Sequence, residues 1–392
     1  MLSDRLRGLF AKPEAGLGNR ESDVAGFPGR WFTTFGPMTL ETRGDRIAGS
    51  YRYGNAEGRL EGVVAGDTLD FSYSEPQEEG VGRFRLLRPG KFLGSYTVSG
   101  EQRTRRWEGE RGWDGIWDSD FGRVRLLHEA GRIHGFYEGA GASVIEGRLR
   151  GSRFEFEYRE PQASGEGWFE LGEEGQTFAG EWRPQGGAEW GPWRGARVQA
   201  EPGFTWLVVL EAHWQRSLAE SEYAFGHMLR EVFARVPGVR VRQRFFHDAG
   251  SLEHWCRELL YLPEPAILMV ASHGVAEGLS VHGQVINTTS VLESVRYAES
   301  LRLLHFSSCL VGLDGEGALA NRPYPVSGYA TSVDWGASAL LEFTYLDLIL
   351  NRGLDPADAA AKLPGLVTYA GDSVADGSPY PAAGFRFFPA RA

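Results

Sequence analysis

The chain has 392 residues, of which 42% are hydrophobic and 24% charged, and its formal net charge is −11. Because domains usually have about 100–200 residues, this length predicts two or three domains with cores of their own. The acidic balance argues against a nucleic-acid partner, since proteins that bind phosphate backbones usually carry a basic stripe. The chain has two cysteines, Cys256 and Cys309, which predicts no disulfide framework and a reducing, cytoplasmic location.

Residues 1–28 predict an N-terminal segment without a folded domain. The chain begins MLSDRLRGLF, where charges interrupt a short apolar run, so a secretory signal is not expected. No later apolar run approaches the length of a membrane-spanning helix, so no membrane partner is expected either. We interpret the segment as a short amphipathic helix with a frayed end, the alternative being a docking role.

Residues 29–200 contain an internal duplication. GRWFTTFG recurs as GIWDSDFG, LDFSYSEPQ recurs as FEFEYREPQ, and the offset stays at 85–86 residues along both copies. Apolar residues occupy alternate positions, which is the period of a strand, and turn residues follow about every 8–12 residues. The sequence therefore predicts two all-β domains, at 29–113 and 114–200, each a small antiparallel barrel or meander. Their spacing resembles that of avidin-like or lipocalin-like barrels.

The aromatic and arginine residues of the repeat allow two interpretations. Trp31, Trp117 and Trp182 are candidates for lining a ligand cavity, but in barrels of this size aromatic side chains more often fill the interior, and we favour core packing. Arg111 and Arg197 end their copies after a Trp-x-Gly pattern. We expect them to hydrogen-bond or to stack on barrel aromatics.

The composition changes at Glu201-Pro202-Gly203, which we interpret as a linker before a third domain at 204–392. Apolar runs then alternate with helical periods, and TWLVVLEA, AILMVASHG and LRLLHFSSC are typical of strands buried on both faces. The alternation predicts a mainly parallel sheet with helices on both faces.

Two residues with catalytic chemistry follow strands of this sheet. His273 comes after AILMVAS and Cys309 after LRLLHFSS, and functional groups of such sheets lie beyond the carboxyl ends of the strands. An imidazole beside a thiol can take its proton and so activate it as a nucleophile. Gly274 lacks a Cβ, so its N–H and that of Cys309 are predicted to form an oxyanion hole. We expect no metal and no cofactor.

The stretch ASHGVAEGLSVHGQVI resembles the catalytic-histidine segment of caspases, and FSSCLVG resembles the catalytic-cysteine segment of caspases, separases and CHAT-type peptidases. The resemblance covers about residues 205–370. It implies a caspase-like (caspase–hemoglobinase) α/β domain of clan CD, as in prokaryotic caspase homologues, after the tandem all-β repeat. It also implies a metal-free thiol endopeptidase, regulated as a zymogen by proteolysis or by a partner, with a role in antiviral defence or cell death.

The sequence departs from this family where the substrate would bind. Trp335 is followed by glycine where caspases carry an arginine for acidic substrates. Asp334 and Asp314 are therefore predicted to hold a basic P1 side chain, with Trp335 and Ser307 beside them. Arg322, in a loop rich in Gly and Pro, is the predicted activation cleavage point.

Each of these residues also has a structural interpretation. A single cysteine or histidine at a strand end more often fills the core or satisfies a local hydrogen bond, and only the pair favours catalysis. Cys256 is predicted to be a core residue, and Asp334 could be a helix N-cap. His254, His282 and His305 do not complete a metal-ligand pattern.

Two main functions compete on these grounds. The first is an endopeptidase whose partners are protein substrates and an activating protease or regulatory protein. The second is a catalytically silent, peptidase-like binding or scaffold protein with ligand-sensing barrels. A third, weaker possibility is that the β repeat senses a small molecule and gates a peptidase. Both members of the catalytic pair are present, which favours the first.

Overall fold

A computed structural model describes residues 26–101, 103–138, 143–215, 219–220, 224–313, 317–374 and 376–391. Among the described residues, 47% lie in strands and 17% in helices. Two barrels are followed in the chain by a six-stranded sheet with flanking helices. Residues 1–25 of the predicted N-terminal segment, and the candidate Asp314, lie outside the described residues.

The first barrel consists of nine strands connected by tight turns. They are β1 (Gly29–Thr33), β2 (Gly36–Arg43), β3 (Arg46–Tyr53), β4 (Ala56–Ala65), β5 (Thr68–Ser74), β6 (Glu79–Arg88), β7 (Lys91–Val98), β8 (Thr104–Arg106) and β9 (Gly109–Glu110). Neighbours pair antiparallel from β1 to β7, and β9 closes the ring by pairing with both β1 and β7. Because β8 also pairs with β7, β8 and β9 together replace one strand that is interrupted at Trp107.

The second barrel is closed by eight regular strands. They are β10 (Gly115–Ser119), β11 (Gly122–Glu129), β12 (Arg132–Tyr137), β13 (Ser143–Arg150), β14 (Arg153–Arg159), β15 (Ser164–Leu171), β16 (Thr177–Pro184) and β17 (Gly191–Arg197). Each pairs antiparallel with the next, and β10 pairs with β17. Here one continuous strand, β17, takes the place of β8 and β9.

The alternating pattern of the sequence fills both barrels with aromatic side chains. In β5 and in β14 every second residue is buried. Trp31 and Trp117 are fully buried, and their indole N–H groups donate to the carbonyl oxygens of Phe27 and Trp113 at 2.7 and 3.3 Å. Core packing, the interpretation we favoured, therefore applies to both tryptophans.

Arg111 and Arg197 close their barrels in the same way. Each guanidinium lies 4.2 Å from a ring centroid, that of Trp31 for Arg111 and that of Trp117 for Arg197. Each also donates to backbone carbonyls just before the first strand of its barrel. The prediction that they stack on barrel aromatics is confirmed.

The C-terminal sheet contains six strands in the order β19-β18-β20-β24-β25-β26. Their bounds are β18 (Thr205–Ala212), β19 (Val239–Phe246), β20 (Ala266–Ala271), β24 (Leu301–Ser307), β25 (Val326–Tyr329) and β26 (Phe385–Phe388). All pairs are parallel except that of β25 with β26. A separate small sheet contains β21 (His273–Val275), β22 (Gly278–Val281) and β23 (Gln284–Ile286).

The helices of this region cover both faces of the sheet, and an apolar core lies between the sheet and the helices on each face. They are α1 (Phe225–Phe233), α2 (Ala249–Glu258), α3 (Thr288–Ser294), α4 (Trp335–Leu346) and α5 (Pro356–Leu366). Asp334 caps α4 by accepting the N–H of Ala337 at 3.0 Å, as one of its two interpretations predicted. No helix among the described residues is long and apolar enough to cross a membrane.

The predicted fold class, in which a caspase-like α/β domain forms the second half, is not borne out. The described residues are mostly β, with 47% strand against 17% helix. The two barrels are closed units in which β8 and β9 of the first together take the place of the single last strand of the second. Its helices are short, from 7 residues in α3 to 12 in α4. We correct the fold class to a mostly β protein with two barrels and a C-terminal mixed sheet.

Candidate binding site

The residues predicted to be catalytic lie at neighbouring strand ends. β20 and β24 pair in parallel, His273 begins the short strand after β20, and Cys309 lies just beyond β24. Gly274 passes so close to Cys309 that a Cβ on it would lie 2.0 Å from the carbonyl oxygen of Cys309. The glycine is therefore required by close backbone approach, whatever the chemistry of the site.

The described hydrogen bonds of the Cys309 thiol go to the backbone of Val333. Sγ donates to the carbonyl oxygen at 3.8 Å and accepts the N–H at 3.4 Å. The exposed ring of His273 lies edge-on to Trp214, with 5.2 Å between centroids. These contacts attach the thiol to the segment that leads into α4. The catalytic roles of the two residues stay predictions.

The predicted substrate-binding and cleavage residues are dispersed around this region. Asp334 is engaged as a helix cap, and Trp335 is 50% exposed. The carbonyl of Ser307 accepts the backbone N–H of Ser272, just after β20, at 3.3 Å. The Arg322 guanidinium donates to a carbonyl four residues earlier at 2.8 Å. Their roles also stay predictions. Among the described residues, no group of His, Cys, Asp and Glu is arranged to hold a metal ion.

A buried polar cluster escaped the sequence analysis. His305 in β24 has Nδ1 2.9 Å from Ser327 Oγ and Nε2 3.1 Å from Glu342 Oε1, and the Tyr329 hydroxyl donates to the same carboxylate at 2.9 Å. Burial and the nearby Glu342 raise the pKa of Tyr329 well above its usual value. The partners of His305 are 22 and 37 residues away in the chain, so no local spacing indicated them.

Cys256 is fully buried on α2, as predicted for a core residue. Burial raises the pKa of its thiol far above the usual range, so this thiol stays protonated at neutral pH.

Each barrel has an aromatic cluster at one end, which we call its mouth. A tight turn, TTFG in the first barrel and SDFG in the second, places a phenylalanine over this cluster. The repeat aligns the two sets. In the first mouth they are Phe35, Tyr51, Tyr73, Tyr96 and Trp107, and in the second mouth Phe121, Tyr137, Tyr158, Trp182 and Trp193.

The rings of the two mouths are arranged alike. Phe35 lies edge-on to Tyr96 and Trp107 at 5.4 and 5.2 Å. Its counterpart Phe121 lies edge-on to Trp182 and Trp193 at 5.4 and 4.9 Å.

One tyrosine hydroxyl in each mouth has a corresponding hydrogen bond. Tyr51 and Tyr137 each donate to a glutamate at 2.7 Å, Tyr51 to Glu75 and Tyr137 to Glu160. Both mouths therefore have one architecture, an aromatic funnel with a tyrosine–glutamate pair.

An arginine of the protein itself enters the first mouth. The guanidinium of Arg105 lies 6.0 Å from the Tyr96 ring centroid, donates to Glu101 at 2.7 Å and lies 3.8 Å from Glu78. Glu78 also accepts the hydroxyl of Tyr73 at 2.7 Å. An internal cation and its two carboxylates, which are partly exposed, thus lie at the first mouth.

None of these three charges recurs in the second mouth. By the repeat, Arg105, Glu78 and Glu101 correspond to Gly191, Ala163 and Gly187, and the cross-strand pair Tyr96–Arg105 corresponds to Trp182–Gly191. Among the described residues, the second mouth is therefore an aromatic surface without a counterpart of Arg105.

Side chains at the rim of the second barrel are accordingly accessible. Phe121 and Trp190 are each 40% exposed. The indole N–H of Trp182 is buried and has no hydrogen-bond partner among the described residues. A buried donor without a partner is uncommon in folded proteins. This donor adds a polar feature to the aromatic surface.

The two barrels also differ in charge. Residues 114–200 contain 15 acidic and 10 basic side chains, whereas residues 29–113 contain 12 acidic and 13 basic ones. The second barrel is thus acidic and the first close to neutral.

A ring of alternating charges joins both barrels to the C-terminal sheet. Arg125 of the second barrel bonds Glu299 and Glu110, Lys91 of the first barrel contacts Glu110 and Glu108 at 3.0 and 3.7 Å, and Arg302 of the sheet bonds Glu108. Glu299 and Arg302 are three residues apart, which closes the ring. We call this set of six side chains the junction ring.

Arg88 of the first barrel strengthens the junction ring. It bonds Glu299 and lies 2.5 Å from Asp114. Burial alone would raise the pKa of Glu299, but the charges of Arg125 and Arg88 outweigh it and lower that pKa to about 2. Burial raises the pKa of Asp114 to about 6 despite Arg88. The barrels are therefore fixed to the sheet by charges that are mostly removed from solvent.

No family model and no curated protein matches this chain. One solved structure found to be similar is the vaccine antigen transferrin-binding protein B, as a double mutant, from Haemophilus parasuis Hp5. Identity is 11% over 41% of this chain and 53% of that chain, with a TM-score of 0.16. This chain thus spans about half the length of that protein, and a TM-score this low carries no conclusion about function.

The predicted membership of the caspase-like and CHAT-type cysteine peptidases is not borne out. No peptidase family model matches the chain, the protein is mostly β, and the Cys309 thiol is engaged with the backbone of Val333. The assignments as a hydrolase, a thiol protease and a zymogen are corrected with it.

Proposed function

We propose that this protein is a non-enzymatic binding protein and that the mouth of its second barrel binds a protein partner. One observation carries the proposal. In the first mouth Arg105 lies 6.0 Å from the Tyr96 ring centroid. The second mouth has a glycine at that place and exposes Phe121 and Trp190, with Arg183 over the Trp190 ring. Aromatic side chains dominate the energy of protein interfaces, so an open cluster of them at a rigid rim is suited to binding.

The barrel supplies the rigidity that such a surface needs. Phe121 is held by its turn, in which Ser119 Oγ donates to the carbonyl oxygen of Gly122 at 2.6 Å and accepts the N–H of Phe121 at 3.3 Å. The indole N–H of Trp193 donates to Ser119 Oγ as well, at 3.0 Å. A surface ordered before binding loses less conformational entropy when a partner arrives.

The junction ring supports a scaffold role. Because Arg302 in β24 and Glu299 just before that strand bond the two barrels, a partner bound at the second mouth would be held at a fixed place relative to the sheet. Protein substrates are not proposed as partners. The cytoplasmic location stays a prediction from the two cysteines, neither of which forms a disulfide.

Selection from a displayed library of random peptides tests the proposal. We expect peptides that bind the full chain and that lose at least ten-fold in affinity for the double variant Phe121→Ser, Trp190→Ser. The matched control is Tyr53→Ser, Leu87→Ser, which removes two similarly exposed apolar side chains from the first barrel (43% and 48%). Peptides that bind both double variants alike, or no binding peptides at all, would contradict the proposal.

A further inference from the structure

We infer that the group which enters the second mouth is a basic side chain, an arginine in particular, on an exposed segment of a protein partner. This inference rests on the proposed binding function and names the chemistry of the partner. The first barrel shows what the mouth accepts, since Arg105 lies in it against Tyr96. In the second barrel the corresponding position, Gly191, provides no side chain.

The second mouth suits a cation better than the first does. Trp182 replaces Tyr96, and of the aromatic side chains tryptophan attracts a cation over its ring most strongly. A guanidinium also stacks flat on an indole, while its aliphatic stem lies along the neighbouring rings. The same rim already contains such a pair, because Arg183 lies 4.5 Å from the centroid of the Trp190 ring.

The charges around the second mouth favour a basic partner. Glu160 accepts the Tyr137 hydroxyl. Asp120, in the turn that carries Phe121, accepts the N–H of Arg194, and Glu138 accepts the N–H of Arg123 just after that turn. Arg183 is balanced by Glu166, to which its Nε donates at 2.7 Å. With 15 acidic and 10 basic residues in this barrel, its field attracts a basic segment and steers its approach.

The geometry at Gly191 shows how much room a side chain would have at this place. A Cβ on Gly191 would lie 3.3 Å from Trp182 Nε1, so a longer side chain there must displace the indole slightly. Gly191 is not in the left-handed region, so a substitution tests the space above Trp182 without backbone strain.

Peptide binding tests the chemistry directly. The probe is a hexa-arginine peptide, compared with hexa-citrulline, which keeps the shape of the side chain but not its charge. Calorimetry on the full chain at low ionic strength is expected to show at least ten-fold tighter binding of hexa-arginine. The double variant Gly191→Arg, Ala163→Glu, which recreates the plug of the first barrel, is expected to remove most of that affinity.

The control adds the same two charges elsewhere. Leu87→Arg, Val81→Glu places them at exposed positions of the first barrel and should leave binding unchanged. Arg105→Gly is expected to open the first mouth and to add a second, weaker site. Should hexa-citrulline bind as tightly as hexa-arginine, or the plugged variant bind like its control, the inference is wrong.

The library selection separates this inference from the proposed function. If the selected peptides depend on Phe121 and Trp190 but contain no basic residues, the binding function stands and the basic partner falls. If no selected peptide depends on those two residues, both are overturned.

Discussion

The two barrels are copies of one sequence unit, and they differ mainly at their mouths and in their charge. The first has an interrupted last strand, with Trp107 between β8 and β9, and an arginine above its rings. The second has a continuous last strand with a glycine at that position. Duplication thus provides an internal comparison, in which one copy has an arginine at its mouth where the other has a glycine.

The interruption of the last strand also has a structural consequence. Trp107 is buried among Phe35, Tyr51, Phe71, Tyr73, Phe84 and Tyr96, all edge-on to it. Trp193 of the second barrel meets a smaller set of rings. The first barrel therefore depends more on its tryptophan for stability.

The largest expected effect is that of removing this tryptophan. Trp107→Ala should lower the free energy of unfolding by about 3–5 kcal/mol, the usual cost of such a cavity. Trp193→Ala should cost less, because fewer aromatic contacts are lost. Urea denaturation of both variants compares them, and an equal or larger loss for Trp193→Ala would contradict the difference between the barrels.

The junction ring should respond next most strongly. Glu299→Gln leaves Arg88 and Arg125, one from each barrel, without their shared carboxylate, and should cost about 3 kcal/mol. Glu293→Gln is the control, since its side chain is 53% exposed and surface substitutions usually change stability by under about 0.5 kcal/mol. Equal thermal stability of the two variants would show that the ring does not hold the barrels.

A fall in pH should change the free energy of unfolding in opposite directions through two carboxylates at this junction. Glu299 has a folded pKa of about 2, below its usual 4.5, so the stability it contributes is present above pH 4.5 and is lost as the pH falls toward 2. Asp114, with a pKa raised to about 6 from 3.8, works in the opposite sense and favours folding as the pH falls from about 6 to 4.

Denaturation curves between pH 7 and pH 2 test both signs. The acid loss should amount to about 2–3 kcal/mol and should diminish in Glu299→Gln, while the gain on mild acidification should diminish in Asp114→Asn. Identical pH profiles for the wild-type protein and both variants would mean that neither carboxylate is perturbed by the fold.

The smallest effect concerns the two phenylalanines of the turns. Phe35 packs on Tyr53 as well as on Tyr96 and Trp107, whereas Phe121 is 40% exposed. Phe35→Ala should therefore cost about 2 kcal/mol and Phe121→Ala about 1 kcal/mol or less. The reverse order in urea denaturation would indicate that the second mouth is as closed as the first.

Much of the barrel region could be predicted from the sequence, because its information is local. The repeat offset and the alternation in LDFSYSEPQ and FEFEYREPQ indicate strands and turns, and Arg111 and Arg197 lie on the tryptophans as expected. The interruption of the last strand at Trp107 was not apparent, since it depends on how β7 pairs with two short segments.

The candidate site was harder to predict, because it depends on contacts between residues far apart in the chain and on substitutions between the two repeats. The junction ring joins side chains up to 211 residues apart, and charge pairs at such a separation leave no pattern in the sequence. The loss of Arg105, Glu78 and Glu101 in the second copy was visible in the alignment of the repeats, but it has meaning only once the mouth is known.

The histidine and cysteine motifs indicated a functional site in the C-terminal sheet and not in the barrels. Both motifs lie where sheet topology places functional groups, with Cys309 bonded to the backbone of Val333, and their catalytic roles stay predictions. A motif at a strand end therefore indicates location more securely than it indicates chemistry.

The indole N–H resonances of Trp182 and Trp107, followed during titration with hexa-arginine, test the central claim most directly. Specific labelling of tryptophan and the variants Trp182→Phe and Trp107→Phe would assign the two signals. If the second mouth is the binding site, the Trp182 resonance moves in step with binding while that of buried Trp107 stays in place. Binding that leaves the Trp182 resonance unchanged would contradict the account.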